Sequence, residues 1–176
     1  MDRNIEAMKN AMAGSIAAAI IIQAILAVVI ARGVDSLYTP YILPGLAILL
    51  AIAGYVYRNL LASTIHSRST VKVMGLLGAL IAGVGVLVGL LWSPTAGAVL
   101  IVVAYYGELV LGVRLRRDLE EVGAAGVREF IYGMLIFILS LPLALLDNRL
   151  ALIPFAGNLL KTYGLIHVYS SLSRRA

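Results

Sequence analysis

The sequence predicts an all-α polytopic membrane bundle of six transmembrane helices, both termini cytoplasmic, with the fourth span extended into the cytoplasm. Three observations predict it. The first is composition: of 176 residues, 61% are hydrophobic and 13% charged, at a mean hydropathy of +0.98. A soluble domain carries roughly a quarter charged residues and about half apolar ones, so this chain has too little polar surface to cover a water-soluble globule. The second is the division of the apolar residues into runs of roughly 20, enough to cross a bilayer core as a helix. The third is the placement of the basic residues at alternate ends of those runs.

With the N-terminus inside, the cytoplasmic side receives Arg3, Lys9, Arg58, Arg68, Lys72, Arg114, Arg116, Arg117, Arg128, Arg174 and Arg175, and the other side only Arg32 and Arg149. Every loop is short enough for this bias to set orientation. The net charge of +5 therefore reports topology. A nucleic-acid partner is excluded, because its phosphates would need basic residues along an exposed face. No cysteine is present, which removes disulfides, thiolate metal sites and thiol catalysis. The Arg-rich, Cys-free composition points to a prokaryotic source.

Taken in order, residues 1–10 carry Lys9 and Glu6 with apolar residues at helical spacing, and read as an interfacial turn or two. Span one covers about 12–31. It is too long for a signal core, and no small-x-small cleavage site follows it, so it reads as retained. Span two, about 41–62, has Pro44 in its first turn and Arg58 in its last turns; a polar connection follows. Span three, about 73–92, carries Gly75, Ala79 and Gly83 at four-residue spacing and then Gly85-x-x-x-Gly89. Small residues so spaced let helix backbones approach in lipid, which predicts that span three is the central packing helix. Trp92 ends it as an interfacial indole.

Span four, about 95–113, continues as an amphipathic helix. Leu115, Leu119 and Val122 keep an apolar stripe, while Arg116, Arg117, Glu120 and Glu121 form a charged cytoplasmic docking face. Gly123 and Gly126 end it. Span five, about 129–146, is predicted to break or kink near Pro142. Asp147 to Arg149 turn the chain, and span six, about 150–172, has Pro154 in its first turns. The whole chain, 1–176, reads as one membrane domain.

Pro44, Pro94 and Pro154 each open a helix returning to the cytoplasm, and each is followed ten residues later by a small residue, Gly54, Ala104 or Gly164. A threefold hairpin repeat is one explanation; the general preference for proline in a helix's first turn is the other. The prolines also set a depth scale of 1.5 Å per residue. Arg58 and Glu108 both lie fourteen residues past a proline, at roughly 21 Å, with Tyr55 and Tyr105 one turn outward on the same faces. Lys161 lies seven past Pro154, at roughly 10 Å.

An ionisable group inside a span costs several kcal/mol unless paired or hydrated, and marks a functional site by default. The depth scale therefore predicts an intramembrane polar cluster of Glu108, Arg58, Tyr55 and Tyr105. It reads either as an ion or proton site or as a structural ion pair. Lys161, Asn158 and His167 form a secondary polar set. His66 and His167 read as boundary or capping histidines. The acids Asp118, Glu120 and Glu121 sit beside basic residues and show no metal-ligand spacing, so no metal and no cofactor is predicted. No His-Glu-x-x-His, Gly-x-Ser-x-Gly or phosphate-binding glycine loop occurs, and the chain is not read as an enzyme.

The size, six spans, short loops and Ala13-x-x-x-Ala17 first helix resemble the substrate-binding components of energy-coupling-factor vitamin transporters. That resemblance would imply small-molecule binding, although the longer outer substrate-closing loop of such proteins is missing here. Two function classes follow. The favoured expectation is a non-catalytic subunit of the cell membrane, packed in the lipid bilayer against other membrane subunits or itself through the glycine stripes and the charged face. The alternative is a small-solute, ion or proton transport component built on Glu108.

Overall fold

The computed structural model describes residues 2–63 and 66–175; Met1, Thr64, Ile65, Ala176 and the side chains of Asp2 and Arg3 lie outside the described residues. The described fold is all-helical. Its long helices are α1 (Asp2–Arg32), α2 (Leu43–Ser63), α3 (Arg68–Leu91), α4 (Pro94–Glu121), α5 (Val127–Leu146) and α6 (Leu152–Ser173). Short 3-10 turns at Val34–Tyr38 and Asn148–Ala151 precede α2 and α6. Five of the six, α1 to α5, are long and apolar enough to cross a membrane. α6 is less apolar because Asn158, Lys161, Thr162 and His167 lie along it.

Each helix packs against its predecessor, and α6 closes back on α1, so the six form a ring. Packing is most extensive within the sequential pairs α1–α2, α3–α4 and α5–α6. The starts of α1, α3 and α5 define the near end of the ring, and the two 3-10 turns lie at its far end. The outward faces are apolar along their length, for example Leu76, Leu80, Val84, Leu87 and Leu91 on α3. Such a surface suits lipid and would be costly in water.

The ends of the helices follow local chemistry. Ser93 caps α4, its hydroxyl accepting the Ala96 N–H at 3.3 Å, with Pro94 in the first turn. At the other end of α4, Gly123 at φ 62° closes a Schellman motif. Its N–H donates to the Glu120 carbonyl, and the Ala124 N–H donates to Leu119. The Arg175 guanidinium donates to the Val122 and Gly123 carbonyls and finishes this cap.

Three expectations about the elements need correction. First, the opening residues are an integral part of α1 and of the core, and not a separate turn or two before the first span. α1 is continuous from Asp2, and Ile5 and Met8 are buried in the same core cluster as Leu115, Leu119, Val168 and Leu172. The α4 extension is helical as predicted. Leu115 and Leu119 of its apolar stripe are buried, Leu119 being 0% exposed, and Val122 is partly buried, because α1 and α6 are long enough to contribute to that cluster. Second, α5 does not break at Pro142 but continues through it as one helix, with the Ser140 hydroxyl donating to the Ile136 carbonyl at 2.5 Å.

Third, α3 is not the central packing helix. Only Gly75, Gly85 and Gly89 of its stripe are buried. A β-carbon at Gly75 would press on the Tyr57 ring, one at Gly85 on the Gly97 carbonyl, and one at Gly89 would overlap the Tyr38 ring. Ala79 is exposed, and a β-carbon at Gly83 would meet nothing within 4 Å. The closest helix pair is instead α5–α6. There Gly133 faces the backbone of Lys161, Gly157 that of Phe137, and Gly164 that of Phe130. These glycines stand outside the stripes visible in the sequence, because the partner helix, not the spacing, decides which small residue faces a backbone. The proposed hairpin repeat shows the same difficulty. Gly164 faces the Phe130 backbone and Ala104 faces Gly78, but Gly54 faces nothing within 4 Å of a β-carbon.

Candidate functional site

The ring surrounds a half-open cavity of about 180 Å³ that all six helices line. Its wall is apolar except for Ser15, Tyr57, Tyr105, Glu108 and Lys161. An apolar space of about 150 Å³ admits a benzene-sized molecule, whereas pockets for drug-sized ligands run to roughly 300–1,000 Å³. The cavity therefore fits a few waters or one small molecule.

Glu108 and Lys161 form an ion pair on this wall, the Lys161 ammonium donating to Glu108 Oε1. The Lys161 side chain is 5% exposed and that of Glu108 30%, so of the two wall residues the carboxylate is the more open. The Lys161 ammonium also lies 5.2 Å from the centroid of the Phe137 ring, within cation–π range. Phe137 in turn meets Tyr105 edge-to-face at 5.4 Å. Lys161 thus meets both Glu108 and Phe137, and Tyr105, one turn before Glu108 on α4, backs the Phe137 ring.

The backbone explains how α6 brings a lysine here. Gly133 removes the side chain that would hold α5 away from Lys161. Asn158, one turn earlier, is fully buried, and its amide donates to the Ala19 carbonyl at 2.8 Å and to Gln23 Oε1 at 2.7 Å. Gln23 Nε2 donates to the Phe155 carbonyl at 3.2 Å. These bonds set the register of α6 on α1. Burying them without partners would cost several kcal/mol in an apolar interior.

This geometry corrects the pairing read from the sequence. The partner of Glu108 is Lys161. Arg58 is exposed and makes no ion pair among the described residues, and Tyr55 is 49% exposed. Tyr57, not Tyr55, is the α2 tyrosine on the cavity wall. The depth count failed at Pro154. Lys161 faces Gly133, thirteen residues before the end of α5, so it lies about 20 Å from the far end. Glu108, fourteen residues past Pro94, lies at about 21 Å. The two match in depth because α6 is entered through the 3-10 turn at Asn148–Ala151. That turn is pinned to the end of α1 by the Asn148 amide on the Ile30 carbonyl at 2.8 Å. Pro154 is therefore deeper than Pro94, and counting from it underestimates depth.

The remaining predicted residues lie elsewhere. His167 is exposed, its ring against Tyr163 at 4.4 Å, and does not reach the cavity. Arg116 and Arg117 are exposed and bonded along their own helix, to Glu120 at 2.7 Å and Glu121 at 3.2 Å. Gln23 and Tyr57 are the residues that sequence reasoning missed. A lone amide inside span one was a usable signal for Gln23. None marked Tyr57, since α2 is apolar on every side and shows no phase.

Compared with known proteins, the chain matches no family model, no curated protein and no solved structure. The resemblance to vitamin-transporter components thus gains no support.

Proposed function

We propose that the chain is an integral membrane protein of six spans, with both ends cytoplasmic, that acts as a proton or small-solute transport component. The observation that carries this reading is the Glu108–Lys161 pair beside a cavity of a few waters' volume, inside a ring that is otherwise apolar. Charged groups are expensive at this depth and are kept where they serve a pathway or a partner. A carboxylate that is paired yet partly open to a cavity can exchange its lysine partner for a proton or a small cationic group. The basic residues of the loops support the orientation.

Purified protein in liposomes, with a trapped pH-sensitive dye, tests the reading. The expected result is proton or small-cation movement above that of empty vesicles, lost at least ~10-fold in a Glu108→Gln variant with an unchanged gel-filtration profile. Wild-type vesicles as tight as empty ones, or a variant as active as wild type, would overturn it.

A second reading, the non-catalytic subunit of a larger membrane complex, is favoured by α2 and α3. Their apolar windows are only 11% and 17% buried inside the chain, against 44% for α5. Lipid covers such faces equally well. Stoichiometric copurification with other membrane proteins, together with an absence of flux from the isolated chain, would favour this reading over transport.

A further inference from the structure

The near end of the ring holds a second polar group that the cavity does not use. The loop before α3 brings His66 against the extension of α4. There the His66 N–H donates to Asp118 Oδ1 at 3.1 Å, and His66 Nε2 lies 3.0 Å from Glu121 Oε2. The other Glu121 oxygen accepts from Arg117 Nε at 3.2 Å. We propose that His66, Asp118 and Glu121 form a binding site for one divalent transition-metal ion of the Zn2+ class.

Two independent observations carry this. One potential ligand atom from each of the three residues lies within 4.8 Å of the others. Zinc bonds of about 2.0–2.2 Å set tetrahedral ligands roughly 3.3 Å apart, so a contraction of at most about 1.5 Å would close the set. His66 and Glu121 are exposed and free to make that adjustment.

The second observation is Asp118. It is only 5% exposed, and its buried Oδ2 has no hydrogen-bond partner among the described residues. An unsatisfied buried acceptor costs about 1–3 kcal/mol, a cost that a bound cation would relieve. Ser67, the next residue along the loop, also buries a hydroxyl without a partner. One imidazole and two carboxylates suit Zn2+ and leave a coordination position for water. Sequence spacing hides the set, because His66 lies 52 residues from Asp118; only the packing of the loop on α4 assembles it.

The test is equilibrium dialysis of tag-free, chelator-stripped protein in detergent against Zn2+. One bound ion per chain is expected. His66→Ala and Glu121→Gln, both at exposed positions and so compatible with folding, should each weaken binding at least ~10-fold, as should Asp118→Asn. His167→Ala, at the other described histidine, should bind as wild type does. Failure of wild type to bind stoichiometric Zn2+, or equal binding by His66→Ala, would overturn the proposal. The transport reading stands or falls separately, since Glu108 takes no part.

Discussion

Replacing Lys161 by methionine is expected to destabilise the protein by about 3 kcal/mol, at the lower end of the cost of stranding one member of a buried ion pair. The lower end applies because the Glu108 side chain retains 30% exposure and can recruit water from the cavity. The double variant Lys161→Met/Glu108→Gln removes both charges and should recover most of that loss, since a buried pair replaced as a unit is often close to neutral. Arg58→Ala should change stability by less than about 0.5 kcal/mol, as an exposed side chain without an ion pair. Denaturant unfolding in detergent, followed by circular dichroism, measures all three. If Arg58→Ala costs as much as Lys161→Met, or if the double variant is no better than the single, the pairing described here is wrong.

Gly133→Ala is expected to cost about 3 kcal/mol, while Gly83→Ala should be neutral or stabilising by up to ~1 kcal/mol. A β-carbon at Gly133 would overlap the backbone of Lys161 and Leu160. Main chain cannot swing aside as a side chain can, so α5 and α6 would have to part, and Lys161 would shift away from Glu108 with them. At Gly83 the added methyl meets nothing within 4 Å and simply improves helix propensity. The same unfolding experiment reads both. Equal effects at the two positions would mean that small residues act here through their spacing and not through the backbone they face.

Both predictions turn on what could be read along the chain and what could not. The helices were legible because length, apolar content and end chemistry are local properties. Ser93-Pro94 opens α4 and Gly123 closes it in the structure as the residues suggest. Glu108 was legible as a polar locus for the same reason, a carboxylate being conspicuous in an apolar run. Its partner was not legible. Pro94 and Pro154 look equivalent in sequence, but the 3-10 turn at Asn148–Ala151 and its bond to Ile30 set Pro154 deeper. Arg58 fails for a related reason: α2 is apolar all round, so nothing in it tells which side faces the ring.

The glycines show the same division. Gly75, Gly85 and Gly89 were recognisable by their spacing, and they are buried. Gly133 on α5 and Gly157 and Gly164 on α6, which seat the two helices together, have no small residue four positions away and so form no such stripe. The metal-ligand set, too, needs a loop and a helix end to meet before it exists.

The sequence by itself determined that this is an all-helical chain with apolar spans, where α4 opens and closes, and that Glu108 is out of place in an apolar run. The tertiary structure alone decided that the helices close into a ring, that Lys161 is the partner of Glu108, and that His66 meets Asp118 and Glu121. The physical reason is that helix formation depends on neighbours in the chain, whereas depth and facing depend on interhelical register. Here that register is held by Asn158, Gln23 and Asn148 and by three glycines whose partners lie on another helix.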